Sequence, residues 1–276
     1  PLLWITGLWK QQNIESSVGV KYDKDKLAKV IENLDCMAEE NRIPSVSAKP
    51  EFTGEKFEVA AEQIGTAIDK DKFAETVTKA INGFQSEVDL MKEDCYILPK
   101  YTKDSPEVAE ACEKMNSELG ANITLDFSPN TEVVDSSVIS QWITVDDNMQ
   151  VTFNQDAVKQ YIADLAAKYD TVGKTRNFTT ATGNVVQVEG GGYGWKIDQD
   201  AEYNALITNI QNAETVTREP NYSSRAATHD ANDWGTTYAE VDLTAQHMYF
   251  IQNGQIAMQC DIVTGNPNKG NATPQG

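Results

Sequence analysis

The sequence predicts an α+β fold: two tandem repeated α+β units followed by a short β-meander that opens an incomplete β-rich domain. Three observations carry this reading. One stretch occurs twice, since Val20–Leu34 matches Val151–Leu165 and Gly65–Asp71 matches Gly194–Asp200, at offsets that agree to within two residues. In both copies helix-periodic segments flank a short β-like segment, without the long crossovers of a parallel sheet. The last forty residues alternate in polarity around Asn253-Gly254, the dipeptide best suited to a tight hairpin turn.

Each element has its own justification. Leu27, Val30, Ile31 and Leu34 recur at the i, i+3, i+4, i+7 spacing of a helix packed on one side, and Val158, Tyr161, Ile162 and Leu165 repeat the pattern. Asp25 and Asp156 stand early in these helices, where a carboxylate favours the positive end of the dipole. The second helices carry Phe73, Val77, Ala80, Ile81 and Phe84, then Ala205, Leu206, Ile207 and Ile210. Lys56–Ala60 and Asn184–Val188 read as strands, the latter alternating as a half-covered sheet would. Between the copies, residues 105–119 read as a helix with Val108, Cys112, Met115 and Leu119 on one face, Ser105 as cap and Pro106 in the first turn. Ile123–Phe127 alternates as a strand, residues 135–143 form a helical turn, and the polar stretch Asn221–Trp234 is a linker. Tyr238–Leu243, Gln246–Gln252 and Gln255–Val263 are three short strands, too little to stand alone, so further chain is expected after Gly276. The resulting divisions are 1–100, 101–150, 151–222, 223–236 and 237–276.

Composition narrows the partners. A net charge of −19 and a pI near 4.4 argue against nucleic acid and anionic lipid. No apolar run approaches the ~18 residues of a membrane span, and the apolar start Pro1–Trp9 lacks the basic flank of a signal peptide. Four cysteines and two histidines without a Cys-x-x-Cys pair make a zinc site improbable, and no cofactor is expected. Cys36 and Cys95 are candidates for a disulfide, with free buried thiols as the alternative. Cys260 lies within a strand with no histidine or glycine turn to activate it.

The most conspicuous local feature is Glu189–Trp195, with four glycines among seven residues. Gly191, Gly192, Tyr193, Gly194 and Trp195 are the candidate ligand-binding residues: an aromatic stacks on a sugar while glycine amides take carbonyls. The competing reading is that Trp195 fills the core and the glycines form a bulge. Thr66 stands at the aligned place in the first copy, so the aromatic is special to the second. The string lacks the Lys-Ser/Thr ending of a P-loop. Asp69 with Asp71 and Asp198 with Asp200 suit helix caps better than a glycosidase pair. Asp146-Asp147-Asn148 reads as a turn, and His247 as a strand residue.

The ordered series of motifs resembles a known family. Glu240–Leu243, Gln246–Tyr249, Asn253-Gly254, Val263–Pro267 and Thr273–Gly276 look like the opening of a YkuD-type L,D-transpeptidase catalytic domain. Ile139–Ile143, Tyr169–Gly173, Gly190–Asp198 and Arg218–Tyr222 look like the peptidoglycan-binding modules that precede it in Gram-positive enzymes. The resemblance implies acyl transfer through a cysteine thioester, peptidoglycan as partner, and an extracellular place at the cell wall with a membrane anchor upstream. The family's Ser/Thr-His-Gly-Cys segment does not occur in these residues, so no catalytic residue is assigned and the chain alone is expected to be inactive. The alternatives are a stand-alone wall-binding module and a spacer without a ligand.

Overall fold

A computed structural model describes residues 20–273. The chain divides into two compact units, one comprising residues to Glu51 with Glu58–Ala109, the other Phe52–Phe57 with the chain from Glu110 onward. Small sheets and helices alternate throughout, an α+β architecture as the sequence predicts. None of the described helices is long and apolar enough to cross a membrane.

Unit one begins with α1 (Lys24–Glu32), capped by Asp23, whose Oδ1 accepts the amides of Asp25 and Lys26. The hairpin of β1 (Lys49–Phe52) and β2 (Phe57–Ala60) leads to α2 (Lys70–Asn82), capped in the same way by Asp69. Ile31, Met37, Ile68, Phe73 and Cys95 form the core, with Leu27, Val77, Leu90 and Tyr96 packed against it. The expected stripe of α1 is narrower than its periodicity: the core touches the helix along Leu27 and Ile31, while Val30 and Leu34 are exposed. Phe84, expected on the stripe of the second helix, falls beyond its C-terminus at positive φ and is exposed.

The disulfide considered between Cys36 and Cys95 is not formed. Both are free thiols, Cys36 exposed and Cys95 buried, where its sulfur lies 3.5 Å from Thr76 Oγ1. The Cys95 thiol is thus a small core group facing α2.

α3 (Pro106–Glu118), which runs from the end of unit one into unit two, buries Val108, Cys112 and Met115, the face its spacing predicts, with Leu119 just beyond. The Ser105 carbonyl receives the amides of Val108 and Ala109, whereas its hydroxyl receives the amide of Thr102. β3 (Asn122–Phe127) turns back into β4 (Asn130–Val134) and buries Ile123, Leu125 and Phe127 in strict alternation. α4 (Ser136–Ile139) and the hairpin of β5 (Ile143–Val145) and β6 (Val151–Phe153) lead to α5 (Gln155–Tyr169). Val158, Ile162 and Leu165 of α5 are buried, and Tyr169 stacks on Phe127 at 3.7 Å between centroids.

The hairpin of β7 (Arg176–Thr179) and β8 (Val185–Val188) precedes β9 (Lys196–Ile197) and α6 (Gln199–Gln211). β10 (Thr215–Arg218) returns to pair with β3 in parallel. β3 and β4, within the stretch 101–150 read as a connector, thus share a three-stranded sheet with β10. β11 (Tyr222–Ser224) pairs with β9, and β12 (Tyr238–Asp242), β13 (His247–Gln252) and β14 (Gln255–Asp261) form the expected meander. Asn253 and Gly254 both take positive φ, as a tight hairpin turn requires.

The string Arg218-Glu-Pro-Asn221 closes the end of α6. Glu202 is 0% exposed, its two oxygens held by Arg218 Nη1 and Nη2 at 3.0 and 2.8 Å and by the amide and side chain of Asn221 at 2.8 and 2.9 Å. Such a charge is tolerable in the interior because its acceptor sites are filled.

The two units share a local construction. Ile68 bridges Tyr96 and Ile197 pairs with Tyr222, both antiparallel. The amides of Asp69 and Asp198 each donate at 2.8 Å to the residue before that tyrosine, Cys95 and Asn221. Both aspartates then cap helices of 13 residues.

Glu118 departs from this satisfied interior, as do Arg42 Nε and the Tyr222 hydroxyl. Glu118 is 2% exposed, one carboxylate oxygen has no partner, and Lys114 Nζ is 3.9 Å from the other. Burial pushes its carboxyl above the ordinary range, against a weaker pull from Lys114. A raised acid pKa means that stability is greatest while the group is protonated and is lost as pH rises through the folded-state value. Glu118→Gln should therefore be more stable than the parent at pH 7 by roughly 1 kcal/mol, with the gain vanishing near pH 4; urea melts at several pH values measure it.

Candidate functional site

A cleft of about 870 Å³ lies in unit two, between the β7–β8 hairpin, the glycine-rich loop and β12. Its apolar floor comes from Phe178, Val186, Val188 and Tyr193, with Tyr238 and Trp234 alongside. Phe178 is the centre of that group, 5.5 Å from Trp234 and 5.6 Å from Tyr238. The Ala181 amide donates to Glu240 Oε2 at 2.7 Å, which ties the hairpin tip to β12. All four residues of β8 are exposed, so in place of the half-covered strand expected here Val186 and Val188 line the cleft. Glu189, Glu240 and Asp242 give the rim an acidic character.

The glycines divide by role. A Cβ at Gly190 would stand 2.1 Å from the Gly173 backbone, and Gly194, at φ +141°, would meet Thr171 and Val172. These two let the loop close against the segment after α5. Gly191 and Gly192 have nothing within 4 Å of a Cβ position and leave the cleft wall open.

Trp195 is not available to a ligand. It is 6% exposed, donates its indole N–H to the Thr228 carbonyl at 2.7 Å, and stacks on His229 at 3.8 Å with planes 8° apart. Tyr222 packs on it at 4.7 Å. Burial lowers the His229 pKa from the ordinary histidine value. The core reading of Trp195 therefore holds. Tyr193 does reach the cleft, half exposed, but its hydroxyl is committed: it receives the Ala227 amide at 2.9 Å and lies 3.1 Å from the Asp233 carbonyl.

The stretch read as a linker is anchored at Asp233. This residue is 3% exposed, and its carboxylate receives Arg176 Nε at 2.8 Å, Arg176 Nη2 at 2.6 Å and the Thr171 hydroxyl at 2.6 Å. Burial alone would raise the Asp233 pKa, but the bonds from Arg176 and Thr171 outweigh it and hold the carboxyl below its usual value. Arg176 Nη2 also donates to the carbonyls of Thr171 and Tyr193, so one guanidinium joins β7, the glycine loop and the segment before β12. The polar composition misled because its key acid is paired with a residue far upstream.

Other candidates stay apart from the cleft. Asp69 and Asp198 are helix caps. His247 Nδ1 lies 2.8 Å from Asp261 Oδ1 on the meander. Among the described residues no group of three or more His, Cys, Asp or Glu is placed to hold a metal ion.

Removing the Asp233 carboxylate would strand Arg176, whose side chain is only 15% exposed. Asp233→Ala should cost about 3–5 kcal/mol in urea unfolding, with earlier loss of the Trp195 environment seen in fluorescence.

Comparison with known proteins gives the context. The chain resembles two solved chains, a cysteine-to-serine mutant of Enterococcus faecium L,D-transpeptidase (33% identity, TM-score 0.44, 60% of this chain and 66% of that one) and the Ldtfm–avibactam carbamoyl enzyme (32% identity, TM-score 0.45, 58% and 62%). It spans less than two thirds of either. Comparison with curated proteins yields no match. The family model described as "Putative peptidoglycan binding domain" matches residues 3–89 and 101–218, and with most of its length matched the chain belongs to that family.

Proposed function

We propose that this chain is the peptidoglycan-binding and positioning region of a YkuD-type L,D-transpeptidase, and that the unit-two cleft receives part of a wall strand. The observation that carries the reading is the cleft itself, open and apolar-floored, in a chain of a peptidoglycan-binding family. Phe178, Val186 and Val188 offer faces for the apolar parts of a stem peptide or sugar, while the bare backbone at Gly191 and Gly192 admits a ligand main chain. Glu189, Glu240 and Asp242 suit a wall component that carries an amine more than one that carries a carboxylate. The two units descend, on this reading, from one duplicated module, which their shared Ile–Tyr bridge and Asp cap support.

The parent's chemistry would be thioester acyl transfer between stem peptides outside the cell, at the wall of a Gram-positive bacterium. The residues of this chain would contribute by holding the strand, not by attacking it. No thiol lines the cleft.

The test is retention of the full chain on purified insoluble peptidoglycan over a range of salt. Saturable retention is expected, reduced at least about tenfold by Val186→Asp, a change at an exposed position that puts a charge on the cleft floor. No saturable retention by the parent chain would make the units spacers.

A further inference from the structure

Where unit two carries Trp195, unit one carries Thr66. Trp195 stands two residues before Ile197 and covers Tyr222, the partner of Ile197 in the strand pair. Thr66 stands two residues before Ile68, whose bridge partner is Tyr96. The threonine is too short to cover that tyrosine, and its hydroxyl is engaged by backbone, donating to the Asn41 carbonyl and receiving the Ile43 amide. What results is a hollow of about 580 Å³ lined by Thr66, Val88, Leu90, Met91 and Tyr96, with Asp89 at its edge. Leu90 and Tyr96 also pack against the core of the unit, which gives the hollow a fixed back wall.

We propose that this hollow is a second binding site, which takes the neutral pyranose ring of a peptidoglycan sugar against Tyr96. Three features select that occupant. In unit two the corresponding tyrosine, Tyr222, carries a flat ring beside it, the indole of Trp195. The lining supplies an aromatic ring and aliphatic side chains, the surfaces on which the C–H faces of a sugar stack. None of the lining residues is cationic, and the lining includes the Asp89 carboxylate, which accepts the amides of Met91 and Lys92 and lies 3.4 Å from the exposed Lys92 ammonium. A carboxylate-bearing peptide would meet repulsion there, while an uncharged sugar would not. The ligand class rests on the peptidoglycan reading above; the site does not depend on the cleft.

The experiment is a nuclear magnetic resonance titration of the full chain with the neutral tetramer of N-acetylglucosamine. Saturable shifts are expected at residues 65–66 and 88–96. Thr66→Trp installs the plug that unit two already carries and should weaken binding at least about tenfold. Tyr96→Leu, which keeps apolar packing but removes the ring, should weaken it similarly and guards against misfolding of the first variant. Absence of binding by the parent chain, shifts confined to other residues, or a folded Thr66→Trp chain that binds as tightly as the parent would each overturn the proposal. Val186→Asp should leave tetramer binding at residues 65–66 and 88–96 intact, which separates failure of this site from failure of the cleft.

Discussion

The bidentate pairing of Arg176 with Asp233 is the constraint on which the second unit's working surface depends. A carboxylate that is 3% exposed is costly unless its acceptor sites are filled, and here two guanidinium nitrogens and a threonine hydroxyl fill them. Because the same guanidinium reaches the carbonyls of Thr171 and Tyr193, the pair fixes three otherwise separate stretches of backbone. Trp195 completes the closure by bonding to Thr228 and stacking on His229. With the segment before β12 held in this way, Trp234 and Tyr238 stand beside Phe178, and the cleft has a second wall.

The two units answer one packing problem differently. Both set a glycine against a preceding backbone segment, Gly65 against Ile43–Pro44 and Gly194 against Thr171–Val172. Both then run through an isoleucine paired with a tyrosine into an aspartate cap. The residue after the glycine decides what becomes of the tyrosine. A tryptophan there gives a closed aromatic stack and spends the aromatic on stability. A threonine leaves the ring bordering an open hollow.

Much of the fold was legible because it is written locally. The periodicity of α5 and α6 pointed to Val158, Ile162, Leu165, Leu206 and Ile210, though not to the buried Ala166 and Glu202, and Asn253-Gly254 marked the hairpin between β13 and β14. Alternation along β3 named Ile123, Leu125 and Phe127. What stayed hidden is non-local. The parallel pairing of β10 with β3 joins residues more than ninety positions apart, and no sequence pattern in either strand announces it. The glycine-rich loop was found, but its division into packing glycines and open glycines depends on Gly173 and Thr171 lying against it. Trp195 looked like a ligand platform because His229 and Tyr222 meet it only in the fold. Arg176, which carries the site's architecture, gave no signal of its own; only a search for a cation to match the buried Asp233 could have found it.

The central claim is that the cleft held by this ion pair is where peptidoglycan lies. Backbone hydrogen exchange of the full chain, with and without soluble peptidoglycan fragments that retain their stem peptides, tests it most directly. Slowed exchange is expected at residues 186–193 and 238–244. Binding that leaves both segments exchanging at their free rates would contradict it.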